Sequence, residues 1–253
     1  MSFVVERSVV IAATRATVWS FFSQPARFAE WWGPGSVIED RPGGAMLIRY
    51  PNGETASGQV VEVVAPERIV FTYGYQAAGK SIAPGASRVE VTLAEHPGGT
   101  LVTLRHEVGS AAIRDEHVAG WRFQLSLFAV VAARVQHAEL AARLDGWFAA
   151  WAEPDADART QALAALCSPD VIMRDDFAAL SGVAELSAHI TAVHRHMPGH
   201  ALERDGAPRH CQGTALVAWL SRGPDGVVRA RGDNVVDLAP DGRIARVVGL
   251  WRA

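Results

Sequence analysis

Two periods alternate along the chain, and their order divides it. From Phe3 to Ala12 the pattern reads as a strand, and Thr14 then stands where a helix N-cap belongs, ahead of the apolar-periodic run Ala16 to Phe22. Pro25 opens a second short helix ending at Trp31-Trp32-Gly33-Pro34. Short strands follow, separated by the turn signals Pro42-Gly43-Gly44, Pro51-Asn52-Gly53, Ala65-Pro66-Glu67 and Pro97-Gly98-Gly99, which is the punctuation of an antiparallel meander. Strict alternation puts Ile69, Phe71, Tyr73 and Tyr75 on one face, and Val102, Leu104, His106 and Val108 on one face of another strand. From about His117 the period becomes helical, with Val118, Trp121, Leu125, Phe128 and Ala132 recurring at three and four. This stripe is expected to lie on the sheet. Phe123, Leu127, Val130 and Val131 make the rest of the helix apolar too, so its outer side is expected to be covered by the second half of the chain or by another subunit.

Beyond Arg134 to Ala138 the order inverts. Helices are predicted around Glu139 to Trp151 and Ala158 to Cys167, then a strand from Asp170 to Arg174 and a helix from Val183 to His196. Strands Thr214 to Ser221, Val227 to Leu238 and Arg243 to Trp251 close the chain, joined by the hairpin signals Pro224-Asp225-Gly226 and Pro240-Asp241-Gly242. The class is α+β in two domains, 1–135 and 136–253, without tandem repeat.

Composition narrows the function. The 253 residues carry 49% apolar and 20% charged side chains with a formal net charge of −3, an ordinary globular balance. The arginines are scattered, which argues against nucleic acid as a partner. Cys167 and Cys211 form neither a CxxC pair nor a metal-ligand spacing, so a reduced, cytoplasmic setting is expected. The apolar run beginning at Leu125 is read as too short for a bilayer, and no membrane partner is expected. No phosphate loop, dinucleotide fingerprint or nucleophile elbow is present, so no cofactor is implied.

The segments AATRATVWSFFSQPARFAEWWGPG, RPGGAM, GQVVEVVAPERIVFTYGY, GGTLVTLRHE and HVAGWRFQLSLF, in this order, resemble the heat-shock-protein-ninety ATPase activator homologue-like family of the START-like (SRPBCC) superfamily, over residues 5 to 134. The resemblance implies a helix-grip fold holding a cavity for a hydrophobic ligand, with no fixed catalytic set. The segments LDGWFAAWAEPDADART, SPDVIMRDDFAALSGVAELSAHI and RGDNVVDLAPDGRIARVVGLW resemble the SnoaL-like group of the nuclear-transport-factor-two-like superfamily, which includes ketosteroid isomerases and polyketide cyclases. That resemblance implies a cone-shaped α+β barrel around a pocket, often in homodimers.

The candidate ligand-binding residues are Trp31, Trp32, Phe71, Tyr73, His106, Trp121 and Leu125 in the first half, and Trp147, Trp151, Arg231 and Asp233 in the second. Each aromatic residue could instead be plain core, and His106 an internally bonded histidine. Asp175 matches the position where the isomerases place a proton-moving Asp, while their enolate-stabilising positions correspond to Trp147 and Arg231. Arg231 could alternatively pair with Asp175 and hold it ionised, and Asp233 could share the same inner face. Asp176 is expected to point away from Asp175. The spacing of His189, His194, His196 and His200 does not suit a metal, and these are expected at the surface of a helix end. Three functions follow: binding of a small hydrophobic or aromatic ligand, a cyclase or isomerase using Asp175, or a chaperone accessory.

Overall fold

The computed structural model describes residues 3–252 and separates into two compact units, the first running to Gln136 and the second from His137. The first begins with β1 (Phe3–Ile11), α1 (Arg15–Ser23) and α2 (Pro25–Trp32). Six strands follow: β2 (Val37–Ile38), β3 (Ala45–Arg49), β4 (Thr55–Val64), β5 (Arg68–Tyr73), β6 (Ser87–His96) and β7 (Gly99–Val108). The unit closes with α3 (Ala111–Gln136). Its strands form one antiparallel sheet in the order β1-β7-β6-β5-β4-β3-β2. Thr14 caps α1, its side chain accepting a hydrogen bond from Thr17 N at 3.3 Å. Gly33 ends α2 at φ 139°, where a Cβ would stand 2.3 Å from Arg49 O, so only glycine fits. Along β7 every second residue is buried, the alternation the sequence predicts, and the outer face is laced by ion pairs such as Glu62–Arg68–Glu90.

Helix α3 starts six residues before the predicted position, because Ser110 Oγ accepts from Ile113 N at 3.3 Å and supplies a cap. At 26 residues it is long and apolar enough to cross a bilayer, contrary to the expectation from Leu125 onward. Trp121, Leu125, Phe128, Ala129 and Ala132 are nonetheless buried in the core of the unit. On its outer side Phe123 is 64% exposed and Leu127 37% within this chain, and both line a cavity of the first unit.

The second unit opens with α4 (Leu140–Ala152), α5 (Ala156–Leu166), β8 (Cys167–Arg174), β9 (Ala179–Ser181) and α6 (Gly182–His196). It continues with β10 (Ala201–Arg204), β11 (Arg209–Cys211), β12 (Thr214–Arg222), β13 (Val228–Leu238) and β14 (Ile244–Trp251). The sheet order is β10-β12-β13-β14-β8-β9, with β11 on β12 and β8 parallel to β14. No pairing closes it into a barrel among the described residues. Helix α5 is capped by Asp155, which accepts from Ala158 N at 2.8 Å. Arg159 of α5 is fully buried and ties that helix to α6: Nη1 donates to Glu153 O at 2.7 Å, Nη2 to Ser187 O at 3.2 Å and to Thr191 Oγ1. Each unit has its own apolar core.

Candidate functional site

Each unit holds a cavity. That of the second, about 430 Å³, forms where α4 and α6 stand off the sheet. Trp147 and Trp151 are four residues apart, hence on one face of α4, and both reach its wall. The sheet supplies two more indoles. Trp219 on β12 and Trp251 on β14 both pair with Gly232 on β13, and a Cβ there would stand 2.3 Å from Trp219 Cζ2. The glycine therefore lets the Trp219 ring lie over the middle strand and meet Trp251 edge-to-face, centroids 4.9 Å apart. Phe177 continues the row, 5.1 Å from Trp251, and is 76% exposed at the rim.

Asp175 follows β8 directly and lines this cavity. Its Oδ1 accepts hydrogen bonds from Phe177 N at 2.8 Å and Ala178 N at 2.7 Å, while its own N donates to Ala178 O at 2.9 Å. The carboxylate thus folds the loop that carries Phe177. Gly249 on β14 makes room for it: a Cβ at 249 would lie 3.1 Å from Asp175 Cβ and 3.4 Å from Asn234 Oδ1. Asp175 and Asn234 are brought together over one glycine. Asp176 is exposed and does not line the cavity.

Arg231 and Asp233 are not part of this wall. Along β13 the buried positions are Gly232, Asn234, Val236 and Leu238, so Arg231 and Asp233 fall on the opposite face. There Arg231 pairs with Asp205 at 2.7 Å and Asp233 with Arg252 at 2.7 Å, the latter guanidinium holding the Asp233 carboxyl below the usual range. Asn234 occupies the inner position that the sequence reading gave to Arg231. The histidines differ from expectation too. His189 and His194 on α6 line the cavity, and the Pro198-Gly199 turn brings His200 back to it, whereas His196 is exposed. His194 Nε2 donates to Trp151 O at 2.8 Å, tying α6 to the end of α4. No group of three or more metal-ligating side chains is found among the described residues.

The cavity of the first unit measures about 370 Å³ and is lined by Trp31, Trp32, Tyr73 and Trp121, together with Tyr50 and Tyr75, which the sequence reading did not single out as lining. Trp32 stands edge-on to both Tyr50 and Trp121, each at 5.8 Å. Tyr50 and Tyr73 share a hydroxyl hydrogen bond of 2.8 Å, and burial pushes both phenols well above their usual range. Phe71 and Leu125 lie in the core and do not line it. His106 is likewise internal, fully buried rather than exposed to a guest. Its Nδ1 accepts from Trp121 Nε1 at 2.9 Å, so the neutral ring carries its proton on Nε2 and donates to Ser87 Oγ at 2.7 Å. Ser87 Oγ in turn donates to Tyr73 O at 2.8 Å. Burial, then the neighbouring His117, pushes the His106 pKa down to about 3. This neutral chain positions Trp121 and Tyr73, two walls of the cavity.

Residues 12–133 match the family model described as Activator of Hsp90 ATPase homolog 1-like protein, and residues 144–247 match that of the SnoaL-like domain. No curated protein matches the chain. Among solved structures, a SnoaL-like family protein from Agrobacterium tumefaciens is 27% identical, covering 47% of this chain and 99% of its own, with a TM-score of 0.44. An AHSA1-like protein from Rhizobium etli is 34% identical, covering 53% of this chain and 83% of its own, with a TM-score of 0.42.

Proposed function

We propose that this chain, an AHSA1-like domain followed by a SnoaL-like domain, binds small, flat, largely apolar molecules, and that the cavity of the second domain is the principal site. Both families are known for ligand binding, and isomerase and cyclase roles also occur. The observation that carries the reading is a space of about 430 Å³ walled by four indoles, within the size range of small-molecule sites. Aromatic walls favour planar guests through stacking and edge contacts. The first domain offers a second aromatic cavity, whose tyrosine hydroxyls can donate to or accept from a polar group on the guest.

Native mass spectrometry of freshly purified protein, with and without added 2-naphthol, tests this. A retained or acquired mass is expected, along with a raised unfolding temperature in naphthol that Val193→Trp, which fills the cavity, abolishes. Neither a bound mass nor a thermal shift in the wild type would end the reading.

The pairing of Asp175 with Asn234 favours a second reading, in which Asp175 Oδ2 takes a proton from a bound carbon acid and the Asn234 amide donates to the resulting enolate. Asp175→Asn tests this second reading: it should abolish turnover of the carbon acid while 2-naphthol, which needs no charged partner, is still bound.

A further inference from the structure

The charge pattern of the second domain's cavity specifies its guest more narrowly than shape does, and this inference rests on the binding reading above. Among the described residues lining the cavity, Asp175 alone has a side chain of fixed charge, and no Lys or Arg reaches the wall. The other polar side chains there are those of Ser221, Asn234, His189, His194 and His200. Asp175 Oδ1 is committed to the amides of Phe177 and Ala178, and Oδ2 makes no hydrogen bond among the described residues. The same cavity is lined by the rings of Trp147, Trp151, Trp219, Trp251 and Phe177, and aromatic ring faces attract positive charge through the ring quadrupole. The last turn of α6 and its C-cap deliver His194 and Met197 to the same wall.

The carboxylate and the aromatic rings act with one sign. An anionic guest would be opposed by each of them, and a purely apolar guest would cover Oδ2 without giving it a partner, which costs free energy. We propose that the cavity is built for an organic cation: a flat apolar body carrying a protonated amine, whose N–H donates to Asp175 Oδ2 while its charge rests against the indoles. The carboxylate is then the anchor of the guest, and the amides on Oδ1 hold that anchor in one orientation.

Three isosteric probes decide it, titrated calorimetrically into the full chain at pH 8: 2-naphthylmethylamine, 2-naphthylmethanol and 2-naphthoate. The amine is expected to bind at least about tenfold more tightly than the alcohol, with naphthoate weakest. In Asp175→Asn, which keeps the Oδ1 acceptor and removes the charge, amine and alcohol should converge to within about threefold. Retained binding of the alcohol shows that the variant is folded. The inference is overturned if the alcohol or naphthoate matches the amine in the wild type, or if the gap survives in Asp175→Asn. Failure of all three probes to bind would remove the binding reading along with it, whereas equal binding by all three would remove only the preference for a cation.

Discussion

Replacing Asp175 by alanine should free the loop that carries Phe177, whereas replacing it by asparagine should not. The carboxylate holds that loop through two hydrogen bonds onto a single oxygen, 2.8 Å from Phe177 N and 2.7 Å from Ala178 N. An asparagine side chain can present an amide oxygen to the same two donors; alanine leaves both without their acceptor. Hydrogen bonds to a charged acceptor contribute about 1.5–3 kcal/mol each at most, and for a half-buried side chain beside an exposed loop a total of about 1–3 kcal/mol is the reasonable scale. Since 1.4 kcal/mol is tenfold in an equilibrium, amide exchange at Phe177 and Ala178 should accelerate by roughly ten- to a hundredfold in Asp175→Ala. The amides of β13 should be unaffected. Hydrogen exchange read by NMR in the wild type and both variants measures this directly. Unchanged exchange in the alanine variant would refute the argument, because it would show that the loop is held by the Phe177–Trp251 ring contact and not by the carboxylate.

Three further outcomes follow from the packing. His106 has a folded-state pKa of about 3 against about 6.5 when unfolded, so its contribution is complete above about pH 6.5 and is lost as pH falls toward 3. Between pH 7.5 and 4.5 the first unit should lose roughly 2–3 kcal/mol from this group, and urea unfolding monitored by aromatic circular dichroism should show a flatter pH profile in His106→Gln. Gly232→Ala forces a methyl into the Trp219 ring and toward Leu250 O, and should cost about 1–3 kcal/mol in thermal unfolding with a changed near-ultraviolet dichroism. Arg159→Met strips the partners from Glu153 O and Ser187 O and should destabilise the second unit by about 2–4 kcal/mol, measured by chemical denaturation. A neutral result would mean that water replaces the guanidinium.

Much of the framework is legible in the chain because burial is one-sided. The alternation in β7 and the three-and-four spacing of α3 each name a face, and the turn glycines separate the strands. Strand β13 held a usable signal for its inner face as well: Val236 and Leu238 set the parity, and stepping back by two gives Asn234 and Gly232, while Arg229, Arg231, Asp233 and Asp237 all fall on the other face. Arg231 and Asp233 instead find their partners, Asp205 and Arg252, on that outer face, so their opposite charges carry no information about the inner one. Other features could not be read. His200 joins His189 at the cavity only because a turn after α6 reverses the chain, and periodicity does not extend through a turn. The hydrogen-bond chain through His106 depends on the register Val89↔His106, which sets Ser87 close enough to bond it and which no single strand encodes. Cavity volume is likewise a property of the assembled walls, since Phe71 and Tyr73 alternate on one face yet only Tyr73 borders open space.

The placement of indoles has a practical consequence. Of the eight tryptophans, all but Trp19 border one of the two cavities. Almost every intrinsic fluorophore therefore lies where an arriving molecule would alter its polarity or quench it, so emission excited near 295 nm should report occupancy of either chamber without any dye. Silencing Trp219 and Trp251 in one variant, and Trp31 and Trp32 in another, would tell which chamber produced the signal.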